Sequence, residues 1–383
     1  MKIKCCRLRI LDIPFVIAFK HSSHARSDVQ TILVEVETED GITGYGEALP
    51  REYVTGESIE SVSTKLTSIV FPRINKMSFD TADSLIQFLE TFEKIFPELS
   101  ENDLCVKASI ELALLDAMGK SVNQSIIDML GGPKSHQVQY SGIVSAENSM
   151  IVEQFLKKYK DIGITTVKLK VGSNPEQDLK NIQLARDILG PTANIRIDAN
   201  EAWTLEQAKQ QLSSFMPYGI ASVEQPLKAS NRDDYPRLTA FLDSAMDVSL
   251  DESVCNFEDA KWMSEHNGAS MFNLRISKNG GIINSLKLAK LASENGLKYQ
   301  LGAQVGETSI LTSAGLTLAA LLGNCVYHEG AFGTRLLKVD ITDEPLQFGA
   351  AGWLTIDTVR SKPGLGIPVD SSLLDGVTKQ MMQ

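Results

Sequence analysis

Three acidic residues follow three consecutive apolar segments of the sequence. Asp198 closes NIRID, Glu224 closes IASVE, and Asp251 follows DVSL. If these segments are strands, each acid points to the face opposite the apolar side chains. Any one of them alone could cap a turn or form a salt bridge, but three carboxylates in register would repel each other without a cation. Oxygen ligands with no nearby His or Cys favour a hard ion, Mg²⁺ before Mn²⁺.

Lysines occupy similar positions in neighbouring segments. Lys168 and Lys170 share the non-apolar face of TTVKLKV, and Lys278 follows FNLRIS. Burial beside a cation lowers the pKa of a lysine toward the range of a general base. A substrate held by the metal would have Lys170 on one side and Lys278 on the other, and Lys168 could act as the neighbouring cation, although solvated rim lysines are commoner. Strict alternation, however, makes Arg275 the inward residue of the last segment unless its strand ends before Lys278.

The elements that would position these residues recur evenly. From residue 137 onward, short apolar segments each precede a helical stretch, and they end near Val144, Lys170, Asp198, Glu224, Asp251, Lys278, Ala303 and Glu329, at steps of 25–28 residues. Eight such units predict an α/β fold, a (β/α)₈ barrel. Barrel active sites lie at the C-terminal ends of the strands, where the acids and lysines fall. Strands two and six, which carry the lysines, are opposite each other in the ring.

The first third of the chain predicts a separate α+β domain. Residues 30–38 alternate as a strand, and Asp40-Gly41 then makes a hairpin turn. Residues 104–118 form an amphipathic helix with Gly119 as its C-terminal cap. We therefore predict an α+β domain over residues 1–130, a barrel over 131–355, and a C-terminal segment, 356–383, that could return to the first domain.

Composition narrows the functional classes. The 383 residues include 37 basic and 48 acidic side chains, a net charge of −11, which repels nucleic acid and anionic lipid. Five scattered cysteines indicate a reducing compartment. No apolar run approaches the ~20 residues of a membrane span. We expect a cytoplasmic protein with no nucleic-acid or membrane partner.

The ordered set of motifs resembles the enolase superfamily, and within it the muconate lactonizing enzyme subgroup. The matching segments span nearly the whole chain: GYGEA, KASIELALLDAMGK followed by LGG, KLK, DAN, EQP, DES, SKNGG and PGLGI. The resemblance implies a (β/α)₈ TIM-type barrel with an N-terminal α+β capping domain. It implies that Asp198, Glu224 and Asp251 hold Mg²⁺, that Lys170 and Lys278 are the acid/base pair, and that Asn200 holds the first ligand in place.

The resemblance also implies a reaction class. The metal binds the substrate carboxylate while a base removes the α-proton, giving a metal-stabilised enolate. The mandelate racemase-like subgroup carries a His on strand seven, whereas this segment reads YQLGAQVGETS, which places the chain in the Lys/Lys subgroup. Dipeptide epimerases of the subgroup carry Asp-x-Asp on strand eight. Here that segment reads VYHEGAFG, with Glu329 as its only acid, which argues against an Ala-Glu type epimerase.

Loops of the capping domain choose the substrate in this superfamily, so two loops of this chain are of interest. FKHSSHARSD and PREYVTGE are basic or polar and would suit a second anionic group on the substrate. Loop residues with no role in substrate binding would show the same polar and basic composition. With residues from strands seven and eight, the predicted substrate-binding set is His21, His24, Arg26, Tyr53, Thr55, Gln304 and His328. Lys168, Asn200 and Glu329 are predicted to support the catalytic groups.

Three functions remain open. We favour an isomerase, either a racemase or epimerase of an amino acid derivative or dipeptide, or a muconate-type cycloisomerase. A lyase on the same site, similar to o-succinylbenzoate synthase or an acid-sugar dehydratase, needs the same first step. A non-catalytic metal-binding barrel would not need two opposed lysines. The expected partner is a small-molecule carboxylate, and we expect a homo-oligomer.

Overall fold

The structure, a computed structural model, describes residues 1–21, 24–145 and 148–383, with side chains described outside residues 17–26. Its strands are β1 Ile3–His21, β2 His24–Thr38, β3 Thr43–Ala48, β4 Gln137–Gln139, β5 Gly142–Val144, β6 Thr166–Lys170, β7 Asn194–Asp198, β8 Ile220–Glu224, β9 Asp247–Leu250, β10 Met271–Leu274, β11 Lys298–Leu301, β12 Trp353–Thr355 and β13 Thr378–Met382.

The α-helices alternate with the later strands. They are α1 Glu52–Thr55, α2 Ile59–Lys65, α3 Phe71–Ile74, α4 Ala82–Glu90, α5 Phe92–Ile95, α6 Leu104–Val122, α7 Ile126–Met129, α8 Ser149–Asp161, α9 Pro175–Leu189, α10 Leu205–Phe215, α11 Tyr235–Leu242, α12 Phe257–Glu265, α13 Ile282–Glu294, α14 Ser309–Leu322, α15 Asp357–Arg360 and α16 Ser371–Val377. Within the described ranges, no helix combines the length and apolar character needed to cross a bilayer.

An antiparallel sheet in the order β13-β1-β2-β3 forms the core of the cap. The predicted strand over residues 30–38 lies within β2, and the turn at Asp40-Gly41 leads into β3. The long helix α6 packs across β3 so closely that glycine is needed there. A Cβ added at Gly46 would lie 2.0 Å from the carbonyl oxygen of Ser109. The GYGEA motif thus allows a helix to approach the sheet.

The predicted end of the long helix at Gly119 is wrong. Helix α6 continues to Val122, and Asn123 ends it in the left-handed conformation at φ 54°. Gly119 instead allows a close approach of the C-terminal PGLGI segment, because an added Cβ would lie 2.7 Å from Gly364 Cα. Beyond that segment, β13 pairs with β1 in the cap sheet.

Seven parallel strands, in the order β5-β6-β7-β8-β9-β10-β11, form the barrel sheet. The chain segment at Tyr327 and His328 closes the ring, because Leu301 N donates to Tyr327 O at 2.9 Å and Ser141 N donates to His328 O at 2.8 Å. His328 also forms a parallel bridge with Leu301. The predicted TIM-type barrel with an N-terminal cap is confirmed.

One predicted strand end of the barrel is wrong. Strands β5 to β8 end at the predicted residues, and Asp251 follows β9 directly, but β10 ends at Leu274, four residues before Lys278. The chain turns after Arg275, so Lys278 belongs to a tight turn that leads into α13.

Hydrogen bonds hold the cap over the C-terminal ends of the barrel strands. Glu47, at the end of β3, accepts from Thr308 Oγ1 at 2.7 Å and from Leu311 N at 3.1 Å at the start of α14. Leu49 N donates to Ser277 Oγ at 2.9 Å. The loop that follows β3 therefore lies beside the turns after β10 and β11.

Candidate active site

Strand register brings the predicted carboxylates to one edge of the barrel. Lys170 pairs with Asp198 across β6 and β7, and Asp198 pairs with Glu224 across β7 and β8. Asp251 follows the next strand, and all three carboxylates are buried. In each strand the acid lies on the face opposite the apolar side chains, and this alternation predicts the convergence correctly. A slip of one residue in the strand register would turn the acids outward.

Lys168 lies at the centre of this edge. Its ammonium group contacts Glu329 at 2.7 Å, Glu224 at 3.1 Å and Asp198 at 3.4 Å. Burial alone would lower the pKa of Lys168, but these three carboxylates raise it well above its usual value. Lys168 is thus a buried cation that links three carboxylates from separate strand ends.

Lys170 lies one pleat nearer the barrel mouth. Its amine donates to Asp198 Oδ2 and to Asn200 Oδ1, both at 2.6 Å. Asn200 N in turn donates to Asp198 Oδ1 at 3.0 Å. The side chain of Lys170 is 26% exposed, so a molecule in the mouth can reach its amine.

Lys278 has a different environment from Lys170. Its ammonium group donates to the carbonyl oxygens of Asp251, Val254 and Asn273, each at 2.8 Å, and lies 3.2 Å from Asp251 Oδ1. The side chain is completely buried. This geometry ties the turn after β10 to the loop after β9 and leaves no face of the amine open to the mouth.

Replacing Lys278 with methionine should destabilise the fold by about 3–5 kcal/mol, because three carbonyls and a carboxylate lose a buried donor. Urea denaturation of the variant and the parent protein measures the difference. Lys290→Met is the matched control: Lys290 is exposed beside Glu294, and its loss should cost under ~0.5 kcal/mol. Equal costs for the two variants would contradict the structural role of Lys278.

Arg275 directly follows β10 and enters the carboxylate cluster. Its guanidinium group forms a close ion pair with Asp251 and lies 3.6 Å from Glu224 Oε1. Burial would lower the pKa of Arg275, but Asp251 and Glu224 raise it, so the group stays cationic. Both alternatives expected for this segment are therefore present: Arg275 points inward, and β10 ends before Lys278.

Glu329 and Arg196 form a buried ion pair next to Lys168. Arg196 Nη1 contacts Glu329 Oε1 at 2.9 Å and donates to Gln300 Oε1 at 2.9 Å. Burial favours a protonated Glu329, but Lys168 and Arg196 lower its pKa to about 2. Glu329, predicted as a supporting residue, is thus an ionised anchor for Lys168.

The carboxylates fit a hard divalent ion in their chemistry. Among the described residues, no three His, Cys, Asp or Glu side chains lie in a metal-coordinating arrangement, since Lys168 and Arg275 lie between the acids. In this arrangement Asp251 pairs with the two cations Arg275 and Lys278. Burial, partly offset by Lys168, raises the pKa of Glu224 to about 7, which indicates an uncompensated need for positive charge. Asp198, Glu224 and Asp251 could therefore hold Mg²⁺ or Mn²⁺.

The predicted substrate-binding residues differ in how far they are exposed. Gln304 is buried just after β11, and neither atom of its amide has a hydrogen-bond partner among the described residues. Tyr53 is exposed in α1, and Thr55 Oγ1 accepts from Glu57 N at 3.4 Å. Three further predicted residues, His21, His24 and Arg26, have side chains outside the described part of the structure.

His328 packs against Tyr140, with ring centroids 6.3 Å apart. Burial lowers its pKa from 6.5 to about 4, so the folded protein keeps the imidazole neutral. Between pH 6.5 and 4 the unfolded chain binds this proton more readily than the folded chain. Stability should therefore fall by up to about 3 kcal/mol as pH drops through this range.

Thermal unfolding between pH 4 and 7 measures this effect as the difference between the parent protein and His328→Gln. Stability of the parent should decline more steeply with acidification. His266, which is exposed, supplies the control variant His266→Gln. Parallel curves for the parent and His328→Gln would show that His328 is not buried in neutral form.

Two family models match the chain. Residues 5–131 match the mandelate racemase/muconate lactonizing enzyme N-terminal domain, and residues 151–373 match the enolase C-terminal domain-like family. The chain belongs to the mandelate racemase/muconate lactonizing enzyme family. Enzymes of this family generally use a divalent metal ion. The predicted resemblance to the enolase superfamily is thus confirmed.

Similar proteins of this family are isomerases. An N-succinyl-L-Arg/Lys racemase of Bacillus cereus is 28% identical over 394 residues, covering 99% of this chain and 98% of that protein. A muconate cycloisomerase 1 of Acinetobacter baylyi is 27% identical, covering 96% of each chain. The crystal structure of a Pseudomonas fluorescens muconate lactonizing enzyme complexed with muconolactone has a TM-score of 0.88 at 27% identity, covering 98% of this chain and 99% of that one. The predicted class, an enolase-superfamily isomerase, is confirmed.

Two residues that contact the predicted site residues were not singled out from the sequence. Glu252 follows Asp251, and burial raises its pKa to about 8; its Oε1 accepts from Asn200 Nδ2 at 3.3 Å. Asn273 donates to Glu224 Oε1 at 3.0 Å. Asn273 lies on β10, two residues before Arg275, so the alternation that favours Arg275 could have found it as well.

Proposed function

We propose that this protein isomerises a small-molecule carboxylate by removing the proton α to the carboxyl group, with Mg²⁺ or Mn²⁺ held by Asp198, Glu224 and Asp251. The observation that carries the proposal is the position of Lys170. Its amine is exposed to the barrel mouth and lies beside a proposed metal ligand at the C-terminal end of a strand. Barrel enzymes place their catalytic groups there.

Different side chains have different roles in the proposed reaction. Lys170, in its neutral form, would accept the α-proton, and Asp198 and Asn200 hold its amine in place. Lys168 and Arg275 supply fixed positive charge where negative charge develops on the substrate. A bound dication would supply a Lewis acid that draws electron density from the substrate carboxylate.

The far end of the substrate is proposed to lie between the cap loops and Gln304. The unpaired, buried amide of Gln304 supports a polar substrate group there, since such groups are rarely left without partners. The loop with Tyr53 and Thr55 adjoins this position, and Arg51 donates to Val305 O at 3.3 Å. In this proposal residues 1–130 select the substrate and residues 131–355 carry out the reaction, in a cytoplasmic homo-oligomer.

Isomerisation is favoured over elimination because the similar proteins are racemases, epimerases and cycloisomerases. A dehydratase would share the first proton transfer and lose water afterwards. The mass of the product separates the two: an isomer keeps the mass of the substrate, and a dehydrated product is lighter by one water.

Incubation of the protein with carboxylates in D₂O and Mg²⁺ tests the proposed function. Suitable probes are N-succinylamino acids, dipeptides and muconolactone. We expect at least one to gain a single deuterium at the α-carbon, measured by mass spectrometry. If the folded protein binds Mg²⁺ but neither exchanges nor converts any of these probes, the proposal fails.

A further inference from the structure

Gln225, the residue after Glu224, is completely buried, and both polar atoms of its amide have partners. Its Oε1 accepts from Asp251 N at 3.0 Å and from Ser253 N at 3.1 Å. Its Nε2 lies 2.6 Å from Ser253 Oγ and 2.8 Å from the hydroxyl oxygen of Tyr235. The side chain therefore joins the loop after β8 to the loop after β9, at the backbone of the proposed ligand Asp251.

The backbone of Gln225 extends the same connection to both neighbouring strands. Its N–H donates to Ser249 O of β9 at 2.9 Å, and its carbonyl oxygen accepts from Glu201 N at 2.8 Å. Glu201 lies in the loop after β7, three residues beyond Asp198. Gln225 is thus hydrogen-bonded to the chain segments that carry the other two proposed ligands, besides adjoining Glu224.

The conformation of Gln225 is uncommon for a residue with a side chain. Its φ is 40°, and Asn200 and Glu201, in the neighbouring loop, are also left-handed at φ 41° and 66°. Such conformations persist only where the surroundings fix them, and they cluster at functional sites. The buried hydrogen bonds of the Gln225 amide supply that restraint in the loop after β8.

We propose that Gln225 is a positioning residue that holds the loops after β7, β8 and β9 in the arrangement that lets Asp198, Glu224 and Asp251 bind one divalent ion. This inference rests on the proposed function. Both oxygen acceptor positions of the amide are taken by Asp251 N and Ser253 N, so Gln225 acts through the loop backbone and does not ligate the ion.

Metal sites need this kind of support because the ligand groups must be held within about 0.5 Å of the binding geometry by buried partners. Loss of a group that orients metal ligands costs about 10–100-fold in metal affinity. A residue that only stabilised the fold would instead lower the free energy of unfolding and leave the affinity of the folded protein unchanged.

Gln225→Met tests this inference, since methionine has a side chain of similar length and removes every hydrogen bond of the amide. The probe is Mn²⁺ alone, and electron paramagnetic resonance counts the free aqueous ion in the presence of the folded parent or variant protein. We expect Gln225→Met to bind Mn²⁺ about 10–100-fold more weakly than the parent.

Tyr159→Phe is the matched control for the loss of buried hydrogen bonds. Tyr159, on α8, is buried, and its hydroxyl group donates to Ile143 O at 2.8 Å and accepts from Ile143 N at 3.2 Å on β5, a strand with no proposed ligand. This variant should lose stability and bind Mn²⁺ as the parent does. If a folded Gln225→Met protein binds Mn²⁺ as tightly as Tyr159→Phe, Gln225 is only structural and the inference fails.

Gln225→Asn decides if Gln225→Met does not fold. Asparagine tolerates the left-handed conformation, but its amide is one methylene too short to reach both Asp251 N and Ser253 N. It should weaken Mn²⁺ binding at least ~10-fold, and binding as tight as in the parent would overturn the inference. A parent protein that binds Mn²⁺ and exchanges α-protons leaves the proposed function intact in that case, whereas a parent protein that binds no Mn²⁺ contradicts the proposed function itself.

Discussion

Lys170→Ala should abolish α-proton exchange, with a loss of about 10²–10⁴-fold relative to the parent protein. The amine of Lys170 is held by Asp198 and Asn200 at the barrel mouth, and we propose it as the base. The fold should persist, because the side chain is partly exposed and Lys168 still neutralises Asp198. Deuterium uptake at the α-carbon, measured on an exchanging probe, gives the loss.

Lys157→Ala is the matched control for this variant. Lys157 is exposed and pairs with Glu153 on α8, away from the strand ends, so its loss should leave exchange unchanged. Thermal unfolding of both variants separates a catalytic loss from a folding defect. A stable Lys170→Ala protein that exchanges at the parent rate would remove Lys170 from the mechanism.

Asp251→Asn should weaken Mg²⁺ binding by at least ~10²-fold and abolish exchange with it. Loss of groups that only support metal ligands costs 10–100-fold in affinity, so loss of a direct carboxylate ligand should cost no less. Isothermal titration calorimetry with Mg²⁺ measures the affinity. The amide keeps the shape of the side chain, but it cannot pair its charge with Arg275 and Lys278.

Asp247→Asn, at the start of the strand that Asp251 follows, is the control for this effect. Asp247 pairs with Lys298 at 2.7 Å near the surface, and its loss should leave Mg²⁺ affinity unchanged. If Asp251→Asn binds Mg²⁺ as tightly as the parent, the ion does not use Asp251 and the proposed ligand set is wrong.

The positions of the site residues could be predicted where they depend only on the alternation of side chains along one strand. Lys168, Lys170, Asp198 and Glu224 lie on β6 to β8, where each inward residue is two positions from the next, so strand period and register fix their placement. The even recurrence of segments likewise predicts the barrel, although its eighth position is a short bridge at His328.

The sequence does not predict the surroundings of residues that contact distant segments of the chain. Lys278 looks like a strand-end residue, but two carbonyls of the loop after β9 and one of β10 enclose its amine, and the local pattern does not show the loop carbonyls. Gly119 looks like a helix cap, but its lack of a side chain serves the approach of Gly364, more than 200 residues away. Burial alone would also suggest a lowered pKa for Lys168, whereas carboxylates from three other strand positions raise it.

The position of the divalent ion tests the account most directly. A crystal structure of the protein with Mg²⁺ should show one ion at ~2.0–2.1 Å from oxygens of Asp198, Glu224 and Asp251, with Arg275 displaced from Asp251 and the amine of Lys170 facing the mouth. An ion bound elsewhere, or a Mg²⁺-soaked crystal in which Arg275 still pairs with Asp251 and no ion lies among the three carboxylates, would contradict it.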